Sequence, residues 1–339
     1  MKTILYILIF STLAFSCRKE SVFIDRELDE VYVLDLPIGF PSPHIPDDNI
    51  LTKFRVELGK KLFFDPVLSK DYSISCASCH HPNKAFSDTT SVSKGVFGRT
   101  GTRNSPSLAN VAYNSFFFKD GGVPTLELQV TAPIQDHNEM DINILEVTER
   151  LKLINNYVKL SKLAYNKEPG PFVITRAISA YERTLISGNS PFDKHNNGDL
   201  SVLSLSEKRG KDLFFSNRTN CSSCHSGFNF TNNTFQDIGL YQNQLDSGRM
   251  RVTLDENDRN KFAVPSLRNV EVTRPYMHDG SMETLEEVVD FFNTGGHTSP
   301  NKSNLVTALN LTQSEKTDLV NFLKALTDEE FLTNKKFTP

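Results

Sequence analysis

Tryptophan is absent from all 339 residues, so no part of this protein's chemistry can use an indole ring. The sequence also lacks an excess of positive charge, because 37 Lys and Arg residues face 41 Asp and Glu residues, for a net charge of −4. Nucleic-acid binding depends on concentrated positive charge, so the composition gives no reason to expect it. Hydrophobic residues make up 38% of a chain long enough for two domains, which is typical of a globular protein.

The N-terminus carries an apolar run, Ile4–Phe10, that is too short to span a membrane as a helix. A basic residue precedes this run and small residues follow it, a pattern typical of an export signal. The segment Leu13–Cys17 looks like a lipoprotein cleavage site. The N-terminal pattern as a whole predicts a signal peptide over residues 1–17, a lipid anchor on Cys17 and a tether over residues 18–47. The alternative is ordinary signal cleavage, with Cys17 removed.

Only four cysteines remain after Cys17, and they form two Cys-x-x-Cys pairs, each followed directly by a histidine. Zinc sites use such pairs too, but at separations of about 15–20 residues, and most of a domain separates these two. A redox-active disulfide would need a strand–helix context, and a structural disulfide would not explain the histidines. Cys-x-x-Cys-His attaches c-type haem, since two thiols on one turn reach the porphyrin vinyl groups and the histidine binds iron. The sequence therefore predicts two covalently bound haem c groups, on Cys76, Cys79 and His80 and on Cys221, Cys224 and His225.

The chain contains an internal repeat that includes both motifs. A Gly-Lys-x-Leu-Phe-Phe segment precedes each motif, and a Pro-Ser-Leu-x-Asn-Val segment follows it. The repeat predicts two related domains, each with a helix, a haem loop, a long loop and a further helix. The matching segments are Gly59–Phe64 with Gly210–Phe215, Pro106–Val111 with Pro265–Val270, and Thr125–Glu127 with Thr284–Glu286.

Local patterns predict helices in both halves. Apolar residues at helical spacing begin at Leu51, and Pro171 opens a second apolar helix that we expect to end near Gly188. Capping boxes at Ser204–Glu207 and Thr312–Glu315 predict two further helix starts. The second box precedes an apolar stripe that predicts core packing, namely Leu319, Phe322, Leu323 and Leu326.

With these motifs, the sequence resembles the bacterial dihaem cytochrome c peroxidases and their MauG-like relatives over residues 48–329. The resemblance implies a mainly α fold of two cytochrome c-like haem domains, at residues 48–190 and 191–339, with long loops that wrap the haems. It rests on both haem motifs and on four stretches, GTRNSPSLANV, KDGG…TLELQVTAPI…NEM, AISAYERTLISGNSPFD and VPSLRNVEVTRPYMHDGSMETLEEVVDFFNTGG.

The resemblance assigns different roles to the two haems. The haem on His80 would react with hydrogen peroxide, and the haem on His225 would receive electrons from a donor. Glu139 stands at the place of the family's distal acid–base residue, Gln129 at that of a distal glutamine, and Pro133 at that of the residue over the peroxide pocket. O–O cleavage needs a group that moves a proton between the oxygens, and a carboxylate near the iron can do this. Without the motif, Glu139 would be interpreted as a surface carboxylate.

The family's calcium site between the haems uses an asparagine side chain and two backbone carbonyls. These positions fall on Asn104, Thr273 and Pro275, so the resemblance implies one calcium ion. Asn104 by itself fits a turn residue equally well.

Two departures from the family pattern concern the first haem and the space between the haems. Many members have a histidine in the loop after the first motif that binds the resting iron, and Val96 of the segment Ser93–Gly98 stands there instead. We therefore expect the first iron to be open even when oxidised, without a reductive activation step. Lys119 stands at the place of a tryptophan between the haems, which excludes electron transfer through an indole.

A third departure concerns the distal ligand of the second haem, which in the family is a methionine or, in MauG-like proteins, a tyrosine. The repeat places Phe292 at this position, equivalent to Pro133 in the first half, and phenylalanine cannot bind iron. Either the second haem is also five-coordinate, or another side chain binds. His297 is preferred to Met282 and Met277 for that role. Axial ligand identity sets the redox potential, so this position affects the choice of donor.

The sequence predicts a periplasmic peroxidase that reduces hydrogen peroxide to water with electrons from a small cytochrome c or copper protein. One alternative is a MauG-like oxidase of a protein or organic substrate, against which the missing tyrosine and tryptophan count. Another is a non-enzymatic dihaem electron carrier, which would gain from six-coordinate irons and would not need Glu139. We also expect a membrane anchor at Cys17 and no nucleic-acid partner, and family members often form homodimers.

Overall fold

A computed structural model describes residues 29–339, and this part of the chain folds mainly into α-helices. The prediction of a mainly α fold is confirmed. The predicted signal peptide, residues 1–17 with Cys17, lies outside the described residues. Within residues 29–339, no helix is long and apolar enough to cross a membrane.

The first half, residues 29–190, contains six α-helices joined by loops and short 3-10 turns. The first helix begins after Thr52, whose side chain accepts a hydrogen bond from the Arg55 amide at 3.4 Å. The helices are α1 (Lys53–Phe64), α2 (Leu126–Gln129), α3 (Thr131–Gln135), α4 (Ile144–Lys152), α5 (Asn155–Tyr165) and α6 (Pro171–Glu182).

Residues 191–339 contain seven further α-helices and a two-stranded antiparallel sheet. Both predicted capping boxes are present, since Glu207 accepts from the Ser204 amide at 2.6 Å and Glu315 accepts from the Thr312 amide at 2.8 Å. The elements are α7 (Pro191–Asn196), α8 (Leu205–Phe214), α9 (Cys221–Cys224), β1 (Phe235–Gln236), α10 (Met250–Thr253), β2 (Phe262–Ala263), α11 (Leu285–Thr294), α12 (Gln313–Lys324) and α13 (Glu329–Thr333).

The same kind of helix crossing occurs in each half. α1 packs against α6 at Gly59, where a side chain would overlap the backbone carbonyl of Ala177. α8 packs against α12 at Gly210, where a side chain would overlap the carbonyl of Asp318. In both pairs the helix backbones approach so closely that only glycine fits at the contact.

Two hydrophobic cores surround these crossings. The first contains residues from Val56 to Leu185, and the second contains residues from Phe192 to Leu326. Tyr181 of α6 and Phe322 of α12 lie directly beside the two crossing glycines, and both rings are fully buried. The predicted stripe on α12 lies in the second core, so its interpretation as core packing is confirmed.

α6 ends earlier than the sequence predicts, at Glu182 rather than near Gly188. The chain beyond the helix forms hydrogen bonds to Asn110 instead of continuing the helical ladder. The Asn110 amide donates to Leu185 O at 2.8 Å, and the Ser187 amide donates to Asn110 Oδ1 at 2.8 Å. A partner more than seventy residues away in sequence therefore replaces the last turn of the predicted helix.

The C-terminal segment connects the two halves. Phe331 of α13 and Phe337 pack into the first core, and Tyr181 Oη donates to Phe337 O at 2.8 Å. Just before α13, Asp328 Oδ2 accepts from Ser187 Oγ at 3.1 Å. The end of the second half therefore completes the core of the first.

Residues 29–47, which the sequence assigns to a tether, lie against both halves. The Tyr32 amide donates to Leu51 O at 3.0 Å in the first half. The Phe40 ring packs edge-on against Phe228 of the second half, with 4.7 Å between ring centroids.

Candidate active site

The first Cys-x-x-Cys-His motif forms one tight turn. Cys76–Ser78 is a 3-10 turn, and the amides of Cys79 and His80 both donate to Cys76 O, at 3.2 and 3.0 Å. Both thiols are free rather than joined in a disulfide. The turn therefore presents two unpaired thiols and a histidine from five consecutive residues, as covalent attachment of haem requires.

His80 has the hydrogen-bond partner that an iron-binding histidine needs. Its Nδ1 lies 2.8 Å from Phe86 O, and because a carbonyl only accepts, Nδ1 carries the proton and Nε2 is left to bind iron. Burial lowers the pKa of His80, which favours the neutral imidazole that metals bind.

The second motif repeats this arrangement. The His225 amide donates to Cys221 O at 2.9 Å, and both cysteines of α9 are free. His225 Nδ1 lies 3.1 Å from the carbonyls of Phe230 and Pro265, and burial lowers the pKa of His225. The donor sets of both motifs therefore fit haem c.

A continuous cavity of about 1160 Å³ connects the two motifs. His80 lines it from the first half, and Cys221, Cys224 and His225 line it from the second. Pockets for one small ligand usually measure about 300–1,000 Å³, so this cavity is larger than a single ligand site.

Glu139 lies in the loop after α3 and lines this cavity. The loop is closed by Asp136, which accepts from the Glu139 amide at 3.1 Å and, through its side chain, from the Asn138 amide at 2.7 Å. Glu139 is exposed on the cavity side, and the surrounding protein removes part of the hydration of its carboxyl group. This partial desolvation, together with the Asp136 charge, raises the pKa of Glu139 to about 7. Burial and nearby carboxylates, including Glu139, also raise the pKa of the Cys76 and Cys79 thiols, which places Glu139 within electrostatic range of the first motif.

Gln129 and Pro133 lie on consecutive short helices beside this loop. Gln129 ends α2 and Pro133 lies within α3, where its carbonyl accepts from the Met140 amide at 3.1 Å. Both residues line the same cavity as Glu139 and His80. The structure thus brings together the three residues that the resemblance assigned to peroxide chemistry.

The loop with Val96 packs directly against the Glu139 loop. Val96 is completely buried, and its amide donates to Glu139 O at 2.8 Å. At the neighbouring Gly95, a side chain would overlap the carbonyls of Asn138 and Glu139. An apolar side chain therefore occupies this position next to the predicted acid–base residue.

In the second half, Phe292 of α11 lines the cavity, as its repeat-equivalent Pro133 does. Of the three proposed alternative ligands, only Met277 lies in the cavity wall. His297 is exposed and lies outside that wall, where its amide donates to Gly239 O at 2.7 Å. The structure does not bring His297 together with His225.

The three residues assigned to calcium, Asn104, Thr273 and Pro275, all line the cavity. The Asn104 side-chain amide donates to Thr90 O at 3.1 Å, and its backbone amide donates to His278 O at 2.9 Å. Across residues 29–339, no group of three or more His, Cys, Asp or Glu side chains is placed to hold a metal ion.

Sequence reasoning missed Arg103 and His278 as cavity residues and identified Lys119 only as the replacement of a tryptophan. Arg103, Lys119 and His278 all line the cavity, and the His278 ring stacks on Phe262 with 4.1 Å between centroids. The available signal was the repeat, because Lys119-Asp-Gly and His278-Asp-Gly are equivalent segments and both place their basic residue at the cavity.

Comparison with known proteins identifies the family of this chain. A family model described as di-haem cytochrome c peroxidase matches residues 53–201. The methylamine utilization protein MauG of Methylorubrum extorquens is 39% identical over 290 residues, covering 85% of this chain and 82% of that protein. The cytochrome-c peroxidase IdrP1 of Pseudomonas sp. strain SCT is 34% identical over 325 residues, covering 86% of this chain and 85% of that protein.

The chain belongs to the di-haem cytochrome c peroxidase family, and the resemblance inferred from the sequence is confirmed. Membership in this family implies two haem c groups. The crystal structure of a MauG-like protein associated with microbial copper homeostasis has a TM-score of 0.86 and 32% identity, covering 91% of this chain and 99% of that one. The fold is therefore shared over nearly the whole described chain.

Proposed function

We propose that this protein is a dihaem c-type peroxidase that reduces hydrogen peroxide to water with electrons from a small periplasmic redox protein. The observation that carries the proposal is the placement of Glu139, whose pKa is raised to about 7, in the cavity that His80 lines. Several relatives with 34–36% identity are named cytochrome-c or cytochrome c551 peroxidases, which supports the same activity.

The reaction consumes one hydrogen peroxide, two electrons and two protons and yields two water molecules. The haem supplies the redox chemistry when bound, while the protein controls access and protonation. The Glu139 carboxylate accepts a proton from one peroxide oxygen and then gives it to the other, which leaves as water. A pKa near neutrality suits both transfers.

Gln129 and Pro133 act on the position of peroxide rather than on its protons. The Gln129 amide can donate to one peroxide oxygen and accept from the other, which orients the O–O bond toward Glu139. Pro133 narrows the same part of the cavity with a rigid, apolar surface. Together they favour one orientation of a small, polar substrate.

The test of this proposal is peroxide-dependent oxidation of a reduced cytochrome c by wild type and Glu139→Gln. We expect rapid donor oxidation by the wild type and a rate about 100-fold lower or less in the variant, with two haems per chain in both. An electron carrier would show no peroxide-dependent donor oxidation. Equal rates in wild type and variant would overturn the role of Glu139.

A MauG-like oxidase of a protein or organic substrate is the second candidate, because two of the matched proteins are MauG and a MauG-like protein. Phe292 in place of a tyrosine and Lys119 in place of a tryptophan count against it. An oxidase of this kind would consume peroxide slowly with reduced cytochrome c and faster with its own substrate. The donor assay above therefore separates the two candidates.

The two halves, residues 48–190 and 191–339, are proposed to be haem domains related by the internal repeat. The two cores and the glycine crossings at Gly59 and Gly210 support this division. The long loops between the haem motifs and the later helices are proposed to wrap the haems.

The remaining proposals concern calcium, location and assembly. Asn104, Thr273 and Pro275 are proposed to bind one calcium ion, which removal by chelation and metal analysis would test. A periplasmic location with a lipid anchor at Cys17 is proposed from the sequence, and Cys17→Ala should then release the protein from membranes. A homodimer is proposed from the family, and light scattering of the purified protein would test it.

A further inference from the structure

Four Lys and Arg side chains line the cavity within the described part of the chain, and they differ in their partners. Three are guanidinium groups, and each has a carboxylate within salt-bridge distance. Lys119 is the fourth, and no carboxylate forms a salt bridge with it in residues 29–339. The guanidinium pairs are Arg103 with Asp120 at 2.7 Å and with Asp246 at 2.6 Å, Arg251 with Asp120 at 3.5 Å, and Arg268 with Asp193 at 2.8 Å.

The surroundings of Lys119 do not compensate its charge. Its Nζ has one polar neighbour, Met277 O, at 3.5 Å. Asp279, the acidic group whose charge acts on Lys119, already accepts from Tyr241 Oη at 2.6 Å and from the Ser281 amide at 3.1 Å. Burial, reinforced by the positive charge of Arg103, lowers the pKa of Lys119 to about 8.

The backbone of Lys119 is fixed at the contact between the two halves. Its carbonyl accepts from the Ala263 amide of β2 at 2.7 Å, and the Phe117 amide donates to Val123 O at 3.0 Å to close the turn that carries it. The ammonium group therefore belongs to a wall that contains His80 from one half and His225 from the other. A fixed backbone holds the charge at this place.

Lys119 is half-buried in the cavity wall, and an ammonium group that is partly removed from water without an anionic partner is costly. A haem attached through two thioethers retains its two propionates, which are its anionic groups. We propose that Lys119 Nζ forms an ion pair with a propionate of a haem bound in this cavity. The inference rests on the proposed function, since it requires that the motifs carry haem. Lys119 is then a positioning residue that fixes and neutralises a propionate, and it does not touch peroxide.

The pair has a consequence for the haem potential. A positive charge beside a propionate favours the reduced haem, which carries one positive charge less than the oxidised haem. Loss of the ammonium group should therefore lower the midpoint potential of the haem that it contacts. Arginine at the same position keeps the charge and should largely preserve the potential.

Spectroelectrochemical titration of Lys119→Met, Lys119→Gln, Lys119→Arg and Lys159→Met tests this. Lys159 is an exposed lysine of α5 that does not line the cavity, so its replacement controls for the loss of one charge. In the two neutral variants at position 119, we expect the reduced-to-oxidised ratio of one haem to fall about tenfold at a fixed applied potential. This change corresponds to a midpoint potential that is lower by about 59 mV for one electron. Lys119→Arg and Lys159→Met should match the wild type.

Infrared difference spectra of protein with ¹³C-labelled haem propionates give a second readout. A carboxylate band should shift in Lys119→Met and stay in place in Lys159→Met. Unchanged potentials and bands in both neutral variants would overturn the inference. So would a wild-type potential that varies with added acetate, because Lys119 would then bind a diffusible anion.

The failure of this inference is distinguishable from failure of the proposed function. Haem content and peroxide-dependent donor oxidation are measured in the same preparations. Two haems and an active wild type with unchanged potentials in the variants would overturn only the role of Lys119. If Lys119→Met does not retain its haems, Lys119→Gln, which keeps a polar side chain of similar length, decides the outcome.

Discussion

At the scale of single residues, the two halves share a haem-attachment geometry and differ in what faces the cavity. The Nδ1 atoms of His80 and His225 are both held by backbone carbonyls. The first half adds Glu139, whose pKa is raised to about 7, whereas the second presents Phe292, which the repeat assigns to the position of a distal ligand, to the cavity. The difference in chemistry between two similar halves therefore depends on a few side chains.

Glu139 should give the peroxidase activity a pH dependence centred near 7. Because the pKa in the folded protein is raised to about 7, the carboxyl group is protonated at lower pH and cannot accept a peroxide proton. We expect kcat/KM to rise with pH through about 7 and then level off. Once Cys76 and Cys79 are bonded to haem as thioethers, they have no thiol proton to titrate. Asp136 is then the neighbouring acid that influences the titration of Glu139.

The pH profile of Glu139→Gln provides the comparison. The step near 7 should be absent from it, while Glu149→Gln, a change at an exposed residue of α4, should keep it. A wild-type profile that stays flat between about pH 5.5 and 8.5 would contradict this account of Glu139.

Val96 should leave the first haem without a distal protein ligand in the oxidised state. The oxidised wild type is then expected to show a high-spin signal for this haem in electron paramagnetic resonance and to react with peroxide without prior reduction. Val96→His should convert the signal to low spin and slow the reaction of the oxidised protein, since the imidazole lies beside the Glu139 loop. A two-histidine, low-spin spectrum for the wild type would disprove the expectation.

At the scale of elements, the glycines at the helix crossings should be intolerant of any side chain. A methyl group at Gly59 or Gly210 would overlap a backbone carbonyl of the partner helix, which cannot move as a side chain can. Gly59→Ala and Gly210→Ala should each lower the free energy of unfolding by about 3 kcal/mol. Guanidinium unfolding followed by circular dichroism measures this.

Gly170→Ala is the matched control, because the nearest atom to a methyl group there is 3.9 Å away. It should lower stability by only about 0.5–1 kcal/mol, since alanine is a poorer helix N-cap than glycine. Equal stabilities of all three variants would show that the crossings are looser than the structure indicates.

At this scale, the sequence predicts an element correctly where the contacts that determine it lie close together in the chain. The capping boxes at Ser204 and Thr312 each involve residues three positions apart, so the sequence predicts them correctly. The predicted end of α6 was wrong because Asn110, far away in sequence, provides the competing hydrogen bonds. The backbone contacts of Lys119 were likewise not predicted, since Met277 and Ala263 lie more than 140 residues beyond it.

At the scale of the whole molecule, the halves are joined by contacts that a division of the chain at residue 190 does not predict. Phe331 and Phe337 come from the end of the second half and complete the first core. Asp328 accepts hydrogen bonds from Ser187 and from the amide of Gly188 at 2.9 Å. The stability of the first half should therefore depend on the C-terminus.

Phe331→Ala tests this dependence. Phe331 is 4% exposed, and its removal should cost about 3–5 kcal/mol of unfolding free energy. Phe172→Ala, at a ring that is 38% exposed on α6, should cost much less. Thermal unfolding monitored at the absorbance of each haem would locate the loss, and an unchanged first transition in Phe331→Ala would contradict the packing.

The central claim, reduction of peroxide to water at the expense of a redox protein, is tested most directly by stoichiometry. Purified wild-type protein with two haems is mixed with excess reduced cytochrome c and a limiting, known amount of hydrogen peroxide. Two donor molecules should be oxidised for each peroxide consumed, with no oxygen released. Peroxide consumption without donor oxidation, or no consumption at all, would contradict it.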